Sequence, residues 1–165
     1  MLKITELENN LLIVHEWIKV ADQKVSIFLA FQGIVLTMLF PGTFSWVVQN
    51  ISCFNFIFII LSIGLILIGF YKSISAIIPR LTKDDKKKSI TYFGDIAKFD
   101  LAKFREAVKK ISKEQYEDEL IEQIHISSRI AIKKYSQFRG AIFYFFGGVT
   151  LLVMVFLISN ICYGI

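Results

Sequence analysis

The tetrapeptide Tyr92-Phe93-Gly94-Asp95 combines the side chains best suited to holding a small ligand. Two aromatics can stack a base. Gly94 permits a tight turn or a close backbone approach. Asp95 can accept a base N–H, and nearby Lys or Arg can hold a phosphate. The same four residues equally suit a turn that plugs an aromatic pair into a core. Catalytic patterns are absent from the sequence. It has no glycine-rich phosphate loop, no HExxH and no Cys-rich site. His15 and His125 are isolated and suit a helix surface or a packed position. Glu117-Asp118-Glu119 and Glu122 lie near Lys113 and Arg129. They read as a solvated helix face; a catalytic carboxylate pair stays open, but nothing orders one for work. The expectation is therefore no enzyme, no cofactor and no metal.

Two polar side chains stand out inside apolar stretches, Gln32 and Asn55. They suit interhelical hydrogen bonds or a pore lining. Cys53 and Cys162 also lie in apolar runs and read as small fillers, not as a disulfide or metal pair.

The elements that carry these residues follow from the charge map. The chain has 165 residues, one domain's worth, and is 55% hydrophobic with 16 Phe. All 19 Lys and Arg, and all 14 acidic residues, fall within 1–24 or 72–139. Residues 25–71 and 140–165 carry none. A charge at mid-bilayer costs roughly 2.5–3.5 kcal/mol on insertion scales, so this segregation predicts an all-α integral membrane protein. Three transmembrane helices are expected, with a helical cytoplasmic segment between spans two and three. The expected divisions are an interfacial helix over 1–24, a two-span hairpin over 25–71, a basic helical segment over 72–139 and a third span over 140–165.

Residues 1–24 do not read as a secretory signal, since Glu6, Glu8 and Glu16 interrupt them, and no cleavage is expected. Leu7, Leu11, Val14, Ile18 and Ala21 recur at helical spacing, and Trp17 suits an interfacial anchor. Span one is predicted from Val25 to about Phe40, ended by Pro41-Gly42. Asp22, Ser26, Ala30, Gly33 and Thr37 share one face of it, small enough for close contact within or between protomers. An uncharged link with Trp46 at the far interface leads to span two, Ile51–Tyr71, whose helix can continue to Ile78. Lys83–Lys88 reads as a loop. Asp100 is a good cap for a helix with Leu101, Phe104, Val108 and Ile111 on a buried face. Ser112 and Gln115 have capping-box spacing. The next helix carries Tyr116, Leu120, Ile124, Ala131, Tyr135 and Phe138 on one stripe. No Pro interrupts 114–163, so it is predicted to run straight into span three.

The 72–139 segment has sixteen Lys plus Arg against ten acidic residues. By the positive-inside rule this segment and the N-terminus face the cytoplasm, with the C-terminus outside. The excess charge suits topology and anionic lipid headgroups, or an anionic ligand.

Four pieces of sequence carry a family resemblance: Trp17-Ile18-Lys19-Val20-Ala21-Asp22-Gln23-Lys24, Tyr92-Phe93-Gly94-Asp95-Ile96, Glu119-Leu120-Ile121-Glu122-Gln123-Ile124 and Ile130-Ala131-Ile132-Lys133-Lys134-Tyr135. In order and spacing they resemble the transmembrane effectors of bacterial Pycsar anti-phage systems, the PycTM type. The resemblance covers nearly the whole chain. It implies an inner-membrane, multi-pass effector that answers cyclic CMP or cyclic UMP, made by a cyclase during infection, by impairing the membrane and halting the cell. It also sharpens the site expectations. Tyr92, Phe93, Gly94 and Asp95 are the ligand candidates. Trp17, Asp22, Lys24, Gln123, Lys134 and Tyr135 form a candidate coupling cluster at the cytoplasmic ends of spans one and three. The implied partners are the cyclic pyrimidine nucleotide, the bilayer and further copies of the chain, with no nucleic acid. The rival expectation is a membrane scaffold or partner-binding subunit without ligand-gated leakage.

Overall fold

The computed structural model describes residues 3–49, 53–78 and 89–163. The protein is all-helical, with no strand among the described residues. The elements are α1 (Ile4–Gln49), α2 (Cys53–Ile77), α3 (Phe93–Ile96), α4 (Leu101–Lys110) and α5 (Lys113–Tyr163). Three of them, α1, α2 and α5, are long and apolar enough to cross a membrane.

One expected boundary is overturned. Pro41 does not end the first span; it lies inside α1, which runs on to Gln49. A proline removes one backbone hydrogen bond. Breaking the helix in an apolar medium would strand several backbone groups with no water to satisfy them. Losing one bond is the smaller penalty, so residues 43–49 continue the helix where a link was expected. The side chains of Trp46, Cys53, Phe93 and Cys162, and the Lys83–Lys88 segment, lie outside the described residues.

The start of α5 follows its sequence closely. Ser112 N–H donates to Gln115 Oε1 at 3.1 Å, and Gln115 N–H donates to Ser112 Oγ at 3.2 Å. This reciprocal pair satisfies two otherwise orphaned donors. From there α5 continues for 51 residues. The shorter α4 behaves differently. Asp100 occupies its N-cap position in extended geometry but makes no side-chain cap bond. The expected buried face is also absent: α4 holds no buried residue, and Leu101 and Val108 are exposed. Only Phe104 finds an aromatic neighbour, Phe99, with ring centroids 5.9 Å apart. An amphipathic face needs a covering element, and this chain supplies little for α4.

The chain forms two compact units, Met1–Val20 with Pro79–Lys133, and Ala21–Ile78 with Lys134–Ile165. In the first, the start of α1 buries Leu7, and α5 buries Leu120 and Ala131 from the expected stripe. Tyr116 Oη donates to Glu8 at 2.9 Å, and Ser127 Oγ lies 3.4 Å from His15 Nε2, so both bonds join α1 to α5 within this unit.

In the second unit the three long helices pack through stripes whose buried positions lie three, four or seven residues apart. On α2 the buried positions are Ile59, Ser62, Ile66, Gly69, Ser73 and Ala76. On α5 they are Ala141, Phe145, Gly148, Val155 and Ser159. This is the spacing of left-handed helix pairs. Glycines set the closeness. A Cβ on Gly69 would lie 2.8 Å from Phe145 N, and one on Gly148 would lie 2.8 Å from Ser62 O. The small face expected on α1 does not pack in this way: Ser26, Ala30 and Thr37 are exposed, and a Cβ on Gly33 would meet nothing within 4 Å. Phe28 packs against Phe31, Phe138, Phe145 and Phe146 with centroids 5.8–6.2 Å apart. Ile27, Met38, Leu67, Phe143 and Ile161 point outward and are more than half exposed, as lipid-facing side chains must be.

Candidate functional site

Two polar clusters stand out, one in each unit. In the first unit, residues 89–96 fold into a compact turn. Tyr92 C=O accepts from Asp95 N–H and Ile96 N–H at 3.0 Å, which makes the single helical turn of α3. The Tyr92 ring lies over Gly94, where a Cβ would meet ring carbon Cε1 at 2.7 Å. Any larger residue would have to displace that ring. Asp95 is buried; it accepts from Ser89 N–H at 3.3 Å and from Lys98 Nζ at 2.9 Å.

The turn is pinned to α5 by Glu119. Its Oε2 accepts from Ser89 Oγ at 3.0 Å, from Ile90 N–H at 3.1 Å and from Thr91 Oγ1 at 3.4 Å. Ser89 Oγ itself accepts from Thr91 N–H at 3.1 Å and Tyr92 N–H at 3.3 Å. With both lone pairs engaged, its proton is left to point at Glu119 and at Thr91 Oγ1, 2.9 Å away. Glu119 is only 9% exposed. The sequence reading of a solvated acidic face therefore fails for this residue, while Asp118 and Glu122 are exposed as expected. On the helical wheel Glu119 lies at the edge of the buried stripe, three residues from Tyr116 on one side and three from the exposed Glu122 on the other, so spacing alone did not decide its burial.

In the second unit, Lys134 on α5 reaches both other long helices. Its ammonium pairs with Asp22 of α1 and donates to Ala76 C=O of α2 at 3.0 Å. Ala76 sits in the last turn of α2, where carbonyls have no helical partner. A cation there satisfies an orphan acceptor and complements the helix dipole. Beside it, Lys24 Nζ stands 5.9 Å from the Tyr135 ring centroid. On the same helices, Lys72 Nζ lies 3.5 Å from Gln137 Oε1 and 5.6 Å from the Tyr144 ring centroid, its stem crossing Gly140.

Of the six residues expected to form the coupling cluster, the structure brings together Asp22 with Lys134 and Lys24 with Tyr135. Trp17, which is half exposed, and Gln123 belong to the other unit. The intramembrane polar residues pair across helices. Ser73 Oγ donates to Gln32 Oε1 at 2.9 Å, and Asn55 Nδ2 donates to Ser159 Oγ at 2.9 Å. Gln32 is fully buried, and its Nε2 has no hydrogen-bond partner among the described residues.

Sequence reasoning missed the second anchor of Lys134, because a backbone carbonyl leaves no mark in the sequence. Among the described residues no group of His, Cys, Asp and Glu is arranged to hold a metal ion.

Comparison with known proteins adds one finding. The Pycsar effector protein domain, PycTM, matches residues 6–159 of the chain. No curated protein and no solved structure matches it significantly.

Proposed function

Since the chain belongs to the Pycsar effector protein family, whose members are membrane-acting anti-phage effectors and not a known enzyme family, we propose that it impairs the bacterial inner membrane when cyclic CMP or cyclic UMP accumulates. The signal enters at the turn holding Tyr92, Phe93, Gly94 and Asp95, on the cytoplasmic side. The three apolar helices then rearrange, in a homo-oligomer, into a leaking assembly.

One observation carries this reading: a single ammonium, that of Lys134, fastens α5 to both α1 and α2 at the polar end of the second unit. Releasing this one contact loosens all three helices together at that end of the bundle, whereas an inert anchor has no need of a joint shared by all three. A ligand drives such a release only by binding the released state more tightly. Three helices make too thin a wall for a one-chain pore, which supports assembly of several copies.

The test is a membrane-potential dye in cells that express the chain, with and without a co-expressed pyrimidine cyclase. Depolarisation is expected only with the cyclase. Its absence with every pyrimidine cyclase would leave a membrane scaffold as the function. Tyr92→Ala and Asp95→Ala are expected to weaken nucleotide binding; unchanged affinity in both moves the ligand site elsewhere.

A further inference from the structure

We propose that the three donors now held by Glu119 form the seat of the ligand's phosphate, and that Glu119 closes this seat in the resting protein. This rests on the nucleotide reading above and names the atoms it would use.

Ser89 Oγ–H, Ile90 N–H and Thr91 Oγ1–H converge on one carboxylate oxygen at 3.0–3.4 Å. Two hydroxyls and a backbone amide aimed at a single point make an anion cradle. The backbone pre-sets it, because Thr91 and Tyr92 amides occupy the acceptor side of Ser89 and turn its proton outward. The occupant of the cradle comes from another element, 28–30 residues further along the chain. Glu119 is therefore a removable guest, not part of the loop's own architecture.

The charges match the exchange. A cyclic nucleotide phosphate is a phosphodiester monoanion with two free oxygens, and a carboxylate is a monoanion with two oxygens. Replacing one by the other leaves the cradle's charge unchanged and releases a buried carboxylate to water. The neighbouring carboxylate, Asp95, is neutralised by Lys98 at 2.9 Å and does not oppose the incoming anion. Three lysines, Lys86 to Lys88, directly precede Ser89 in the sequence and raise the local anion concentration. A phospholipid headgroup shares this phosphodiester chemistry, so the test separates the two sources.

The full chain, in a phosphate-free maltoside detergent, is titrated calorimetrically with cyclic CMP, cyclic UMP and a short-chain phosphatidylglycerol. Glu119→Gln keeps the shape and weakens the guest, and Glu119→Asp keeps the charge but shortens the reach. Both are expected to bind one of the nucleotides at least tenfold more tightly than the parent. Adding Ser89→Ala and Thr91→Val to Glu119→Gln should return at least tenfold of that gain. If the parent binds a nucleotide but Glu119→Gln and Glu119→Asp bind it equally or more weakly, the seat is overturned while the proposed function stands. A Ser89/Thr91 variant that binds as tightly as Glu119→Gln alone overturns it too. Binding of phosphatidylglycerol without either nucleotide overturns it as a nucleotide seat. If neither the parent nor any Glu119 variant binds either nucleotide, the direct-ligand reading of the function falls, and the seat falls with it.

Discussion

Replacing Lys134 with methionine keeps an unbranched stem and deletes the ammonium. Two acceptors lose their donor at once, the Asp22 carboxylate and Ala76 C=O. The Lys134 side chain is only 14% exposed, while that of Asp22 is 40% exposed. A hydrogen bond from a charged donor contributes about 1.5–3 kcal/mol. An ion pair whose acceptor is this accessible to water adds no more than about 1 kcal/mol. Lys134→Met should therefore destabilise the closed bundle by about 2–4 kcal/mol. Asp22→Asn removes only the ion-pair share, because the ammonium keeps its carbonyl. Its effect should be about 1 kcal/mol or less. The two variants should differ by at least tenfold in their opening equilibrium, at about 1.4 kcal/mol per decade. Amide hydrogen exchange over the last turn of α2 in detergent micelles reads this directly, and on the function proposed above the cyclase-dependent depolarisation threshold reads it in cells. Equal effects of the two substitutions would refute the reasoning, since the ion pair and not the carbonyl cap would then be the fastener.

Gln32→Leu removes a buried amide whose Nε2 has no partner among the described residues, while Ser73 Oγ keeps its 3.3 Å bond to Gly69 C=O. Relief of about 1–3 kcal/mol should outweigh the roughly 0.6 kcal/mol of one interhelical bond; a fall in the detergent melting temperature would contradict this. Gly69→Ala and Gly148→Ala press a methyl group against backbone and should each destabilise the bundle by about 1–3 kcal/mol. Gly33→Ala, with open space around it, should not, and the same melts check all three. The Tyr116 hydroxyl is held above its ordinary value of 10.0, first by burial and then by its bond to Glu8 and that carboxylate's charge. Its raised folded value means that this stabilisation is complete below pH 10 and is lost as pH climbs through the folded value. Exchange protection of the first unit should therefore fall in that alkaline window, and Tyr116→Phe should flatten the fall.

The long helices were legible because bilayers and water impose opposite demands. The charge-free stretches at 25–71 and 140–165, the proline-free run after Lys113 and the Ser112–Gln115 box each express a strong local rule. Pro41 misled because its breaking power belongs to water, where freed carbonyls find other partners. The packing of α2 on α5 left a subtler trace. Ser62, Ile66, Gly69, Ser73 and Ala76 repeat at coiled-coil spacing, yet the same chain offers a second small-residue face on α1 that stays uncovered. Spacing nominates both faces, and only the partner's shape selects one. Of the candidate site, Asp22 with Lys134 was readable as a charge pair at helix ends. The role of Glu119 was not, because its three donors are backbone and hydroxyl groups on a distant loop.

The centre of the second unit has a further consequence. Phe145 and Val25 are fully buried there, and glycines bring two backbones into contact beside them. An axis filled in this way opposes a column of water through one copy. On the function proposed above, current therefore runs along seams between copies. Leak should then scale with surface density raised to a power above one, and a modest rise in expression should take a cell from electrically silent to collapsed.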